Sequence, residues 1–155
     1  MILQEFDGSW AGTNGFRLMP SDPFAELPAR LTLSHGAGGH LASVAYWWQH
    51  PDDGLQDGLL VVGPGTDAGS VVAMWGDSWH QKPAPMLISG TNTPETTLEF
   101  EADYGGGWRW RIILDAIDKA NFRLQMDNVI PDSHATADKP AGPYPVMVLN
   151  AQRAD

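Results

Sequence analysis

The chain has 155 residues, a length that suits one domain over 1–155 and buries roughly two-thirds of the unfolded surface without a metal or disulfide staple. It has no cysteine, which excludes disulfides, thiolate catalysis and cysteine-based zinc or iron–sulfur sites and fits a reducing cytoplasm. Lys and Arg total 9 against 19 Asp and Glu, a formal net charge of −10 that repels phosphate backbones, so no nucleic-acid partner is expected.

The opening stretch MILQEFDGSW has no basic head and no long apolar run, so no signal peptide is expected. No apolar stretch is long enough for a membrane-spanning helix. Seventeen glycines and 12 prolines in a chain that is 43% hydrophobic predict many short elements joined by tight turns. Ten candidate strands follow, at about 9–19, 29–35, 41–49, 56–63, 69–80, 85–91, 96–103, 108–115, 119–128 and 144–151. Turn chemistry separates them: HGAGGH, HPDDG, GPGTDAG, QKP, NTPE, YGGG and AIDK. After the first strand, SDPFAELPA predicts a single helical turn, with Ser21 or Asp22 as cap, Pro23 at its first position and Pro28 ending it. Before the last strand, PDSHATADKPAGP reads as a long polar loop or flap.

The clearest pair is TLEFEADYGGGWRWRIIL. Leu98, Phe100 and Ala102 alternate with Thr97, Glu99 and Glu101, and Trp108, Trp110, Ile112 and Leu114 alternate with Arg109, Arg111 and Ile113. A hairpin around Tyr104, Gly105 and Gly106 would set Glu101 opposite Arg109, Glu99 opposite Arg111 and Phe100 opposite Trp110. Charges then pair outside and aromatics inside, each pair contributing about 0.2–1 kcal/mol. The next run repeats the pattern, with Phe122, Leu124 and Met126 inward and Arg123 outward. Ten antiparallel strands with hairpin connections predict an up-and-down barrel, which removes the exposed edges.

Gly8-Ser9-Trp10-Ala11-Gly12, on the first strand, resembles the calycin superfamily of lipocalins, fatty-acid-binding proteins and bacterial lipocalin-like relatives. The resemblance implies that Trp10 plugs one end of the barrel and that a basic residue near the last strand, Arg153, packs over it. A helical turn after the first strand resembles the ten-stranded fatty-acid-binding layout. Gly-x-Trp-x-Gly also resembles nitrobindin-type haem barrels, but Asn14 and Phe16 stand where that family continues with glycines. That family ligates iron with a histidine near the chain end. Here the last histidine, His134, lies in a Pro/Gly-rich loop, so no haem and no other cofactor is expected.

In MWGDSWHQ, strict strand alternation puts Ser78 and His80 on one face and Trp75, Asp77 and Trp79 on the other. Ser78 and His80 could share a hydrogen bond, but a Ser–His–Asp triad would need Asp77, which alternates away. The structural reading makes the tryptophans wall aromatics and His80 a hydrogen-bonded strand end. His35 and His40 flank HGAGGH and could approach across it. Strand-end histidines beside a turn are the simpler reading, and no metal site is expected. Trp47 and Trp48 alternate, so one faces outward. A homodimer or lid contact and a ring buried under the long loop both stay open for it.

The expectation is therefore a ten-stranded calycin-like barrel that binds a small apolar or amphipathic molecule. Its interior contacts would be Tyr46, Trp48, Phe100, Trp108, Trp110 and Phe122, with polar specificity from Ser78 and His80. The alternatives are a barrel enzyme (isomerase, decarboxylase or hydrolase) using His80, a nitrobindin-like haem protein, and a plugged barrel that serves only as an interaction module.

Overall fold

The computed structural model describes residues 3–92 and 96–154. Its strands are β1 (Gly8–Phe16), β2 (Ala25–Gly36), β3 (Leu41–His50), β4 (Gly54–Pro64), β5 (Ser70–Asp77), β6 (Gln81–Asn92), β7 (Thr97–Gly105), β8 (Trp108–Asp118), β9 (Asn121–Ile130) and β10 (Gly142–Arg153). They form one closed antiparallel barrel in which each strand pairs with its neighbours in sequence and β1 pairs with β10. This is the expected up-and-down barrel. The NTPE turn falls mostly on 93–95, outside the described residues. No helix among the described residues is long and apolar enough to cross a membrane.

Period-two alternation drives every strand, because successive side chains point to opposite faces of the wall. On β3, Ala42, Val44, Tyr46, Trp48 and His50 are buried, while Trp47 lies outside with the Arg30 guanidinium 5.8 Å from its ring. Trp10, Trp48, Phe100, Leu124 and Leu149 have no exposed surface, so packed side chains fill the middle of the barrel. The outer wall is not uniformly polar: Leu59, Val72, Met74 and Leu87 are exposed on β4, β5 and β6.

Three local expectations shift. The turn after β1 closes between Met19 and Asp22, where the Asp22 N–H donates to the Met19 carbonyl and the Asp22 carboxylate takes the Met19 N–H. Pro28 does not end that turn. It lies within β2 opposite Thr13, one residue before β2 begins pairing with β3, where its missing N–H costs nothing. The β7–β8 register also differs by two residues: Glu101 lies opposite Arg111 and Phe100 opposite Ile112. Gly106 and Gly107, both with positive φ, make a two-residue turn closed by Gly105 and Trp108, and a bulge follows at Asp103 to Gly105. Because the shift is even, the faces are kept. The Arg109–Glu101 and Arg111–Glu99 ion pairs still form, diagonally instead of directly across.

The two ends of the barrel are built differently. At one end Trp10 is fully buried and donates its indole N–H to the Phe6 carbonyl at 3.1 Å. The Arg153 guanidinium lies 4.5 Å from the Trp10 ring and donates to the carbonyls of Asp7 (2.8 Å) and Glu5 (3.1 Å). Beside this plug β10 crosses β1 closely. A Cβ on Gly12 would stand 1.9 Å from the Asn150 carbonyl oxygen, so the seam needs glycine there. Arg153→Ala is expected to cost about 1–3 kcal/mol, from the lost charge-assisted hydrogen bonds and ring contact. Arg109→Ala, on the outer wall, should change stability by no more than about 0.5 kcal/mol. Urea unfolding midpoints of the two variants test this, and equal losses would contradict the assigned plug.

Candidate functional site

The opposite end is organised around a buried carboxylate. Trp75 and Asp77 share the inward face of β5, and both are buried. Tyr46 Oη donates to Asp77 Oδ2 at 2.7 Å, and Trp48 Nε1 donates to the same oxygen at 3.3 Å. Trp75 Nε1 donates in turn to Tyr46 Oη at 2.9 Å. Gly58, opposite Tyr46 on β4, makes room for the phenol, since a Cβ there would stand 2.2 Å from it. The other carboxylate oxygen, Oδ1, accepts the backbone N–H groups of Trp79 and His80, each at 2.8 Å.

Those two backbone bonds wrap residues 78–80 into a tight turn and end the strand. Strand alternation therefore stops at Asp77, and His80 does not point away from it as the alternation implied. His80 Nδ1 stands 3.3 Å from Asp77 Oδ1. The imidazole is 5% exposed and lies among the rings of Trp79 (5.0 Å), Trp48 (5.2 Å) and Trp110 (5.4 Å). Burial acts to raise the Asp77 pKa, but the nearby His80 imidazole with its charge, the His80 backbone N–H and the Tyr46 hydroxyl outweigh it and lower it from 3.8 to about 2. Burial first, and the Asp77 charge second, push the Tyr46 phenol well above its ordinary 10.0, so it stays a donor.

A cavity of about 120 Å³ opens at this mouth, lined by Phe16, Trp79, His80, Trp110, Asn128 and Tyr144, with Arg17, Leu18 and Val146. Arg17 is committed elsewhere, donating to the carbonyls of Pro145 and Pro20 at 2.8 Å each, which ties the β1–β2 loop to β10. Tyr144 donates to the Leu18 carbonyl at 2.8 Å. Three nitrogens of lining residues are different: His80 Nδ1, His80 Nε2 and Trp110 Nε1 are buried and have no hydrogen-bond partner. Asn14, fully buried two residues deeper on β1, also has an unpaired side chain. Larger hollows of about 560 and 480 Å³ lie against the outer wall, beside Arg30, Trp47 and Asp57 and beside Leu41, Met74 and Leu87. None of the unpaired buried atoms lines them.

The structure divides the eight predicted contacts. His80 and Trp110 line the cavity. Tyr46 and Trp48 hold Asp77 behind it. Phe100 and Phe122 are fully packed core, and Trp108 sits at the rim with its ring 5.5 Å from His134. Ser78 is not an interior group. Its hydroxyl donates to Gln56 Oε1 at 2.7 Å and accepts the Asp57 N–H at 3.0 Å, so it pins the turn to β4 and makes no Ser–His–Asp triad.

The remaining histidines serve the scaffold: His50 Nδ1 caps the Asp52 and Asp53 N–H groups, His35 meets Asp7, and His40 is exposed. Among the described residues, no group of three or more His, Asp or Glu is placed to hold a metal ion. Sequence reasoning missed Phe16, Asn128 and Tyr144 at the cavity. Extending the Phe122, Leu124, Met126 alternation by one step would have found Asn128. Trp79 was placed by alternation on the face of Trp75 and Asp77, and it does line the cavity, although the turn at 78–80 and not a continuing strand carries it there.

No protein-family model matches the chain, and no curated protein matches it.

Asp77 has a folded-state pKa below its unfolded value, so its stabilisation is complete above about pH 4 and is lost as pH falls toward 2. The shift corresponds to about 2 kcal/mol. Asp77→Asn is therefore expected to be less stable than wild type at pH 7 by at least that amount, with the gap narrowing between pH 4 and pH 2. Urea titrations at the three pH values measure it. A gap that stays constant would show that the carboxylate charge has no part.

Proposed function

We propose that this chain binds a small one-ring molecule with a polar substituent in the mouth cavity, as a ligand-binding barrel of calycin type. One observation carries the reading: His80, with both ring nitrogens buried and unpaired, and Trp110, with its Nε1–H buried and unpaired, line the same cavity. Buried polar groups in folded proteins are almost always hydrogen-bonded, and an orphan costs about 1–3 kcal/mol. A ligand hydroxyl or carbonyl supplies the missing partner, and the surrounding rings of Phe16 and Trp79 take its apolar body. The size supports a single ring, since apolar cavities of roughly 150 Å³ accept benzene.

The filled middle of the barrel argues against a long acyl chain, which would have to displace Trp48 or Phe100. Among the described residues the one cation lining the cavity, Arg17, has its Nε and Nη1 donors on the Pro145 and Pro20 carbonyls, and the Asp77 carboxylate lies behind His80, which together favour a neutral ligand over an anionic one. Kinship with calycin barrels draws support from the ten-strand closure and from Arg153 stacked over the Trp10 plug.

Benzyl alcohol is expected to quench tryptophan fluorescence saturably and more strongly than palmitate. Trp110→Ala should weaken that binding at least tenfold. Arg109→Ala, whose side chain is half exposed on the outer wall, should leave it unchanged. Arg111 is a poorer control, because its guanidinium covers the buried Asp127 carboxylate at 2.6 Å. Tighter binding of palmitate, or benzyl alcohol binding indifferent to Trp110, would refute the mouth site.

A further inference from the structure

The same cavity holds more than a pair of hydrogen-bonding atoms. Asp77 is fixed from four directions, by Tyr46, by Trp48 and by two backbone N–H groups. Its Oδ1 faces His80 Nδ1 at 3.3 Å. A carboxylate in that place favours the tautomer with the proton on Nδ1, which leaves a lone pair on Nε2. His80 lines the cavity, and Nε2, like Nδ1, is buried there without a hydrogen-bond partner; the 3.3 Å approach to Asp77 is an electrostatic contact. An imidazole oriented by a buried carboxylate, with its far nitrogen free, is the arrangement of a general base. On the same cavity wall, the unpaired Trp110 indole N–H is a fixed donor, suited to an oxygen that gains negative charge. Ser78 is tied to β4, so no nucleophile accompanies the pair and acyl transfer is not supported.

We propose that His80 and Trp110 form a proton-transfer site for small cyclic ketones, with Asp77 as the positioning residue. This rests on the cavity being the ligand site. The ketone oxygen accepts from Trp110 Nε1–H, and an α C–H is presented to His80 Nε2. The C–H bond breaks and its proton bonds to Nε2. The C–H electron pair becomes the carbon–carbon double bond of the enolate, while the carbonyl π pair moves onto oxygen. His80 either trades the captured proton for one from solvent and delivers that to the same carbon or, in a β,γ-unsaturated ketone, delivers the captured proton to the γ carbon. The first outcome is exchange and the second is isomerisation. Neither needs an oxidant, a reductant or a second substrate. The ring walls of Trp48, Trp79 and Phe16 limit water around the base and strengthen both interactions.

The test follows α-proton exchange of cyclohexanone in D₂O by proton NMR, with binding followed separately by fluorescence. Saturable exchange well above the buffer rate is expected. His80→Gln should lower it by about 10²–10⁴-fold. Trp110→Phe keeps a ring but removes the N–H, and should lower kcat by about 10²-fold or more. Asp77→Asn should lower kcat with KM little changed. Unfolding midpoints show which variants fold, and Trp110→Phe carries the test if His80→Gln does not. Cyclohexanone that binds without exchange above buffer overturns the proton-transfer proposal and leaves the binding reading standing. Exchange that survives in both His80→Gln and Trp110→Phe also overturns it. Neither binding nor exchange overturns both readings.

Discussion

An ionised carboxylate taken out of water costs several kcal/mol unless its lone pairs are met. Asp77 meets that demand with a phenol, an indole and two backbone N–H groups, and each partner has a structural effect of its own. Tyr46 must lie flat across the barrel, which requires Gly58 on the next strand. Trp75 must turn its indole toward the Tyr46 hydroxyl. The backbone bonds end β5 and curl the chain so that His80 enters the interior. Trp79 follows the same turn, and its indole N–H reaches the Asp53 carboxylate at 2.9 Å. One charge thus sets the position of most aromatic rings at this mouth.

The contrast between the two ends gives the barrel a direction. At the Trp10 end the cation is on the outside of the aromatic plug, and its donors are spent on backbone carbonyls. At the Asp77 end the anion is inside the aromatic layer, and the imidazole beside it leaves both ring nitrogens unpaired. A closed end whose cation spends its donors on backbone carbonyls is suited to stability. An end with unpaired buried atoms gives up some stability, which is the usual signature of a site shaped for something else.

Much of this architecture was legible because antiparallel strands write their faces into the sequence at period two. The alternation of Leu98, Phe100, Ile112, Leu114, Phe122 and Leu124 located the core correctly, even though the β7–β8 register was misplaced by two. Sequence could not fix that register, because three consecutive glycines offer several tight turns and only backbone closure selects Gly106 and Gly107. The site was less legible for a related reason. Alternation holds only while the strand continues, and Asp77 ends its strand by accepting hydrogen bonds from residues beyond it. Ser78 and Asp77 therefore exchange their expected roles: the hydroxyl goes to the outer scaffold and the carboxylate goes to the histidine. Trp110 was placed inward correctly by pattern, but its unpaired N–H follows from packing.

The meander also fixes an order of events. Every pairing except one joins strands that are consecutive in the chain, so each can form as a local hairpin on a microsecond scale. The exception is the β1–β10 seam, and Arg153 reaches an Asp7 carbonyl 146 positions away. Closing so long a loop comes at the greatest entropic cost and is rewarded last. Until it closes, the first strand is an unprotected edge with its tryptophan uncovered, open to pairing with another chain. Changes along the seam should therefore speed unfolding while leaving the folding rate nearly untouched. Kinetic resistance to opening resides in the cross-strand contacts made by Gly12 and Asn150, far from the mouth cavity.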